Sequence, residues 1–249
     1  MMSFVLAAGL LAGCTYSFGP PGQPPSRPGE TGPAETPSGS VTSFPYYDGY
    51  VREHLHEKTD YTITYRMLYF EGIADPKATH THTATYTHTL DGGYYFYTLF
   101  DDPNSRASGE RLFTLSAGTD KYDTYKGTAA TGFKRATTAT ATQAEVDEAA
   151  ADVGGQMTSY LKHTSPMEVP VELMGTEELL GRQCDKYVRA WSGKETRTYD
   201  TWWIEPDTGV VLKYEMVGEY SNTGERYMHT VITATEFKTG GDVKLPEHD

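Results

Sequence analysis

The chain of 249 residues has little cysteine and no long apolar segment. Its only cysteines are Cys14 and Cys184, which excludes a framework of several disulfides. Its N-terminal apolar run, residues 4–11, is too short to span a bilayer as a helix. Hydrophobic residues make up 37% of the chain and the mean hydropathy is -0.55. These values are low for a protein with a large closed core.

Basic residues are also scarce. There are 21 Lys and Arg against 34 Asp and Glu, which gives a net charge of -13. A protein this acidic repels nucleic acid and anionic membrane surfaces, so neither is expected as a partner. The charge mainly supports solubility.

Catalytic motifs are absent from the sequence. It contains no Gly-x-Ser-x-Gly elbow, and no serine stands in a predicted turn from a strand to a helix. The sequence therefore indicates a protein that is not an enzyme, with no catalytic residue and no cofactor.

The N-terminus has the features of a secretory signal. The run from Phe4 to Leu11 is followed by Ala12-Gly13-Cys14, and small residues before a cleavage point are typical of such signals. The tetrapeptide Leu-Ala-Gly-Cys resembles the lipobox of bacterial lipoproteins. That resemblance implies removal of residues 1–13 and acylation of Cys14, for example by palmitate. An ordinary secretory signal is the alternative.

Lipidation of Cys14 would determine where the protein is located and would leave Cys184 without a disulfide partner. We expect the protein in the bacterial cell envelope, facing outside the cytoplasm, in the periplasm or on the surface. We interpret Cys184 as a small buried side chain within a strand.

The next segment, residues 14–45, is expected to be a disordered tether. Eight of the fourteen prolines lie in it, and Gly, Ser and Thr supply much of the rest. A segment so poor in apolar residues cannot offset the entropy of ordering. The folded domain is therefore expected at residues 46–249, opening with a short helical or irregular stretch at 45–58.

Strand periodicity dominates from residue 59 onward. Tyr61, Ile63, Tyr65, Met67 and Tyr69 alternate with polar residues, the pattern of a strand with one buried face. Turn residues separate further runs of the same kind. Eleven strands are predicted: 59–69, 79–90, 94–100, 110–116, 121–125, 132–137, 171–179, 183–190, 196–204, 210–220 and 225–237.

One prominent helix is predicted at residues 142–161. Thr142 to Glu145 reads as a capping box, and apolar residues then recur at spacings of three and four. Without alternating helices, parallel crossovers are excluded and the sheet must be antiparallel. A sheet of so many strands must curl or split. A sandwich, a closed barrel and a strongly curved open sheet with the helix in its concave face all satisfy this requirement.

The segment from Gly181 to Lys213 carries a family resemblance. Gly181, Tyr187, Trp203-Ile204, the Asp207 to Gly209 turn and Leu212-Lys213 follow in the order strand, turn, strand, Trp-Ile, acidic-Gly turn and Leu-Lys strand. This pattern resembles the LolA-like superfamily, which includes lipoprotein carriers and sensor domains related to RseB. The resemblance covers about 60 residues. It implies a half-barrel, a mainly β fold of about eleven strands with the helix packed on the concave face, and in carriers an acyl-binding cavity.

Aromatic and methionine side chains mark the candidate cavity. Met and Tyr suit an adaptable apolar pocket, and a plain packed core is the alternative. The predicted lining consists of Tyr61, Ile63, Tyr65, Met67, Tyr69, Phe96, Trp203, Leu212, Tyr214 and Met216.

Two other groups of side chains resemble functional sites, but each has a simpler interpretation. His80 and His82 have the spacing of a metal pair, but His88 lies about 20 Å along a straight strand from His82. We interpret the three as part of a solvated strand and predict no metal. Asp200 and Glu205 flank Trp202-Trp203, as in a sugar site, but a core Trp with solvated neighbours is the commoner arrangement.

The sequence thus predicts a non-enzymatic, membrane-anchored lipoprotein. Its expected ligand is a lipid-like or other apolar molecule, or an envelope component, held in the half-barrel. A surface lipoprotein that acts as a scaffold for protein contacts, without a small-molecule cavity, is the alternative.

Overall fold

The structure is a computed structural model. It describes residues 39–41, 45–46, 50–71, 80–100, 109–115, 121–140 and 171–249. The chain divides into two compact units, Met1–Ala34 and Glu35–Asp249, and every described residue lies in the second. The predicted signal peptide, Cys14, most of the predicted tether and the predicted helix at 142–161 lie outside the described residues.

Twelve strands and one short π-helix make up the regular structure of the described residues. The π-helix spans Arg52–His56, within the stretch predicted to be helical or irregular. The strands are β1 (Gly39–Val41), β2 (Tyr61–Glu71), β3 (His80–His88), β4 (Gly93–Phe100), β5 (Gly109–Leu115), β6 (Lys121–Thr128), β7 (Gly132–Thr140), β8 (Val171–Leu179), β9 (Arg182–Ser192), β10 (Thr196–Glu205), β11 (Val210–Tyr220) and β12 (Arg226–Thr239).

All twelve strands form one sheet, in the order β1-β8-β9-β10-β11-β12-β2-β3-β4-β5-β6-β7. Each neighbouring pair is antiparallel, and the two ends of the order, β1 and β7, are not paired with each other. The sheet is therefore open. Of the three arrangements considered from sequence, a sandwich and a closed barrel are excluded.

The eleven predicted strands are confirmed as β2 to β12. Strand β1 is an addition, because it pairs with β8 from within the segment predicted to be a disordered tether. The sheet therefore includes residues 39–41, which precede the predicted start of the folded domain at residue 46. Among the described residues, no helix has the length and apolarity needed to cross a membrane.

Apolar side chains collect into two separate clusters. The large core draws on β2, β3 and β8 to β12, together with Val51, which precedes the π-helix, and Leu55 within it. The small core consists of Tyr95, Leu112 and Phe133, with Tyr97, Tyr125 and Leu245 packed against them.

At β3 and β4, the two clusters lie on opposite faces of the sheet. Cross-strand partners share a face and successive residues alternate. Tyr86 of the large core is paired with Phe96, whereas the next residue on β3, Thr87, is paired with Tyr95 of the small core. We call the face that carries Met67 and Tyr86 the inner face, and the face that carries Tyr95 the outer face.

Candidate functional site

The residues predicted to line a cavity on β2 lie together on the inner face. Tyr61, Ile63, Tyr65 and Met67 are at most 3% exposed, while the alternating Thr62 and Thr64 are half-buried. The period of two in the sequence therefore places these four side chains correctly in one buried row.

The register extends this row across neighbouring strands. Met67 lies opposite Ile232, Ile232 opposite Tyr214, and Tyr214 opposite Trp202. The Tyr65 hydroxyl donates a hydrogen bond to the backbone oxygen of Val211, at 2.9 Å. Side chains from β2, β10, β11 and β12 thus form one continuous packed layer.

Two predicted lining residues mark the margin of this layer. Tyr69 and Met216 are half-buried and pack against the large core. Both lie opposite Thr230, one on each side of β12. The Tyr69 ring stacks on His82 with the centroids 5.4 Å apart. This margin is the part of the layer nearest to solvent.

Trp203 lies on the other face from the rest of the predicted lining. It is paired with Lys213 and Lys186, whereas its neighbour Trp202 is paired with Tyr214. The Lys213 and Lys186 ammonium groups lie 4.1 and 4.9 Å from the Trp203 ring centroid. Its indole N–H donates to Glu177 Oε2 at 2.6 Å. Leu212 belongs to the large core, and the side chain of Phe96 is outside the described part of the structure.

The inner face also holds a buried ion pair. Asp200 is 2% exposed and its carboxylate accepts hydrogen bonds from both Nε and Nη2 of Arg189. It also accepts one from the Tyr214 hydroxyl at 2.7 Å and one from the Trp191 indole N–H at 3.2 Å. Four donors satisfy the carboxylate, so these hydrogen bonds compensate for the cost of burying its charge.

Glu205, the second carboxylate beside Trp202-Trp203, has a structural role. Glu205 Oε2 accepts hydrogen bonds from the backbone N–H and the hydroxyl of Thr208, and Oε1 accepts one from Arg182 at 3.4 Å. These bonds hold the turn between β10 and β11. Gly209 in this turn has a φ of 74°, and a Cβ there would come within 2.6 Å of Tyr50. Asp200 and Glu205 are therefore both engaged within the fold.

Two of the three histidines of β3 are buried rather than solvated. His82 and His88 are 7% and 6% exposed, and the side chain of His80 is outside the described part. The interpretation as a solvated strand is thus wrong for two of the three residues. They lie on the inner face, which the sequence could not identify as buried at this point. Among the described residues, no group of three or more His, Cys, Asp or Glu side chains could hold a metal.

A further histidine, His56 of the π-helix, contacts His88. Their ring centroids are 4.9 Å apart, and the Tyr61 hydroxyl lies 3.2 Å from His56 Nε2. Burial, then the neighbouring His88 and Arg52, lowers the pKa of His56 to about 3. Burial lowers the pKa of His88 to about 4, against a smaller opposite effect of Asp60 and Asp91.

One nitrogen of this pair is unsatisfied. His88 Nδ1 is buried and has no hydrogen-bond partner in the described part of the chain. Both rings are therefore held neutral in the fold. The lowered pKa values of the pair make it a source of acid sensitivity.

Cys184 is a free, fully buried thiol, as expected from its place in a strand. Its thiol lies 3.7 Å from the Arg182 backbone oxygen, and burial raises its pKa to about 11. The thiol is thus inert as a nucleophile at neutral pH.

The sequence reasoning missed Arg189, Trp191 and His56. Arg189 and Asp200 are paired across the hairpin of β9 and β10, three positions outward from the pair Ser192 and Arg197, so the exact register was needed to bring them together. No local pattern signals the contact between His56 and His88, which depends on how the π-helix packs.

Comparison with known proteins gives distant structural likenesses. No family model matches the chain, and neither does any curated protein. A DUF1329 family protein from Desulfovibrio piger is 16% identical, with 80% of this chain and 92% of that chain covered and a TM-score of 0.26. A domain provisionally described as an outer membrane lipoprotein-sorting protein, from Vibrio parahaemolyticus, is 12% identical, with 78% and 92% covered and a TM-score of 0.23. A LolA superfamily protein from Nitrosomonas europaea is 9% identical, with 78% and 93% covered and a TM-score of 0.24.

The structural neighbours of this chain thus include DUF1329 and LolA superfamily proteins, and the second is the family that its sequence resembles. TM-scores of 0.23 to 0.26 carry no argument about function. The function is therefore argued from the residues of the chain itself.

Proposed function

We propose that this protein is a bacterial envelope lipoprotein, acylated at Cys14, whose β-sheet domain binds a lipid-like or other apolar ligand without catalysis. The observation that carries the location is the sequence Leu11-Ala12-Gly13-Cys14 behind a short apolar run. An acyl chain on Cys14 would hold the domain at the membrane, outside the cytoplasm.

The chemistry of the inner face supports the apolar ligand. Met67 and Met216 have flexible thioether side chains that can repack around a guest, and tyrosines tolerate a wet edge. The half-buried Tyr69 and Met216 give such a ligand a point of entry next to the buried Met67. We propose this margin as the mouth of the site, with Tyr61, Ile63, Tyr65, Leu212 and Tyr214 deeper within it.

The tight packing of the same layer favours a second candidate, a scaffold for protein contacts. Ile63 and Leu212 are 0% exposed, so side chains already fill the space that a ligand would need. Binding would then require the layer to open. Without opening, the rigid sheet would serve as a platform.

A displacement assay separates the two candidates. The native protein is incubated with a fluorescent fatty acid, and its emission is followed during titration with unlabelled lipid. We expect saturable, displaceable binding that Tyr69→Ala and Met216→Ala each weaken several-fold. Leu99→Ala is the matched control, because Leu99 is 46% exposed and lies on the outer face. Equal binding by all variants, or none by the native protein, would favour the scaffold.

The anchor is tested separately by fractionation. The variant Cys14→Ser should leave the membrane pellet and appear in the soluble fraction. If it stays in the pellet after a wash without detergent, then the proposed acylation of Cys14 is wrong.

A further inference from the structure

The C-terminal segment, residues 240–249, begins with a turn and then runs to the edge of β7, and we call it the strap. It leaves β12 at Gly240, whose N–H donates to the Asp60 backbone oxygen at 2.8 Å. Val243 N–H then donates to the Gly240 oxygen at 3.0 Å, and the Val243 side chain is 6% exposed. No regular pattern is predicted for this segment, yet backbone hydrogen bonds and the buried Val243 hold it in place.

The middle of the strap completes the small core. Leu245 packs against the cluster of Tyr95, Leu112 and Phe133. A Cβ on Gly93 would lie 2.2 Å from Leu245 Cδ1 and 2.5 Å from Thr89 Oγ1, so a larger residue at position 93 would force this leucine to shift.

The end of the strap adds to the edge of β7. Phe133 N–H donates to the Glu247 oxygen at 2.8 Å, Asp249 N–H to the Phe133 oxygen at 3.1 Å, and Arg135 N–H to the Asp249 oxygen at 3.1 Å. Phe133 and His248 form a parallel bridge. The His248 ring meets the Tyr125 ring edge-on, with centroids 5.1 Å apart.

The strap joins two distant strands of the sheet. It leaves β12, one of the seven strands of the large core, and ends at β7, six positions away in the strand order. The strap therefore links the edge of the sheet to the large core.

Several features indicate that the strap can leave. Gly240 and Gly241 form a hinge in open space, with no atom within 4 Å of a Cβ built at either position. An open cleft of about 590 Å³ lies between residues 131–134 and the end of the strap. The bonds to β7 are few, since three backbone hydrogen bonds hold it there.

The charges around β7 suit an acidic strand. Lys134 lines the cleft together with Glu247 and Asp249 of the strap. Lys126 lies directly opposite Lys134 in the register of β6 and β7. Two like charges in this position repel each other, and a nearby anionic segment relieves the repulsion.

We propose that the β7 edge and the small core form a docking site for an extended acidic peptide segment that carries a leucine. The strap is the resident occupant of this site, and a partner segment of the same chemistry displaces it. Backbone hydrogen bonds to an edge strand supply affinity in such docking, and a side-chain pocket supplies specificity. Here the leucine pocket beside Gly93 and Phe133 has that second role.

The strap-opened variant Leu245→Asp of the full chain tests the proposal. A labelled peptide with the sequence of residues 240–249 is titrated against this variant and against the unaltered chain, and fluorescence anisotropy is measured. We expect the variant to bind at least tenfold more tightly, because the unaltered chain holds a competing strap at high effective concentration. A peptide with the Leu245→Asp change should not bind, and one with Glu247→Lys and Asp249→Lys should bind at least tenfold more weakly.

Two results would overturn this proposal. One is a folded Leu245→Asp variant that does not distinguish the native peptide from the altered ones. The other is a variant that dimerises and ignores the peptide, which would mean that a second copy of the chain takes the β7 edge.

Hydrogen exchange in the unaltered chain gives an independent test, should the variant fail to fold. The amides of Phe133 and Arg135 face the strap. They should exchange at least tenfold faster than the β6–β7 ladder amides, because the strap opens without the sheet. Equal protection would mean that the strap does not leave.

Discussion

The large core and the small core are built in different ways. Seven strands contribute side chains to the large core, as do Val51 and Leu55. A buried ion pair lies within the same layer. The small core has three buried residues and depends on Leu245, a residue from the far end of the chain. The large core is formed by side chains of neighbouring paired strands. The small core is completed by the strap, a segment with almost no regular structure.

This difference indicates where the domain can change shape. Side chains interlocked across many strands lose contacts with many partners at once when one moves. A strap that carries one leucine and three backbone hydrogen bonds opens at a much lower free energy. We therefore expect the large core to set global stability and the small core to set local opening.

The largest expected effect is on the buried ion pair. Asp200→Ala leaves the Arg189 guanidinium buried without its carboxylate, so the free energy of unfolding should fall by about 3–5 kcal/mol. Urea unfolding at pH 7.5 measures this loss. The double variant Arg189→Met with Asp200→Leu should recover most of it, since no buried charge remains. A loss below about 1 kcal/mol in the single variant would show that the pair is dispensable.

Acid should weaken the large core through His56 and His88. Their folded-state pKa values of about 3 and about 4 lie below the unfolded value, so the unfolded chain binds more protons as the pH falls. The stability that the two neutral histidines contribute is thus fully present above pH ~6.5 and is lost as the pH falls toward 4. Between pH 7.5 and 5, each histidine should lower the free energy of unfolding by up to about 2 kcal/mol.

The variant His88→Phe sharpens this expectation. It keeps a ring beside Tyr61 but removes one of the two titrating groups, so about half of the pH dependence should disappear. An unchanged slope between pH 7.5 and 5 would contradict the assignment.

A smaller effect is expected in the small core. Leu245→Ala removes part of a half-buried side chain, and the free energy of unfolding should fall by about 1–2 kcal/mol. Exchange of the Phe133 and Arg135 amides should accelerate, while the amides of β10 and β11 stay protected. Loss of protection throughout the sheet would mean that the two cores form one cooperative unit.

The smallest effect serves as a reference. Leu99→Ala changes an exposed residue on β4, so stability should stay within about 0.5 kcal/mol of the unaltered chain. A larger loss would place Leu99 in a contact that these two cores do not include.

The sequence predicted the strands well and the faces less well. Alternation placed Tyr61 to Met67 in one buried row because a period of two is a local property. It could not place Trp203, which lies on the other face from Trp202 beside a register shift between Trp203 and Ile204. Where two aromatics are adjacent, one must face each way, and only the pairing with Lys213 or Tyr214 decides which.

The other misses depend on long-range packing. The contact of His56 with His88 and the seating of Leu245 on Phe133 join residues that are far apart in the sequence. The strap has no periodicity because most of its bonds go to other parts of the chain. Such a segment reads as a loop until its neighbours are known.

Native mass spectrometry of the protein extracted from membranes tests the central proposal most directly. We expect a chain that begins at Cys14 and carries covalent acyl mass, with a further lipid-sized mass that is released on mild activation. A chain with neither acyl modification nor releasable ligand would contradict both the anchor and the apolar binding site.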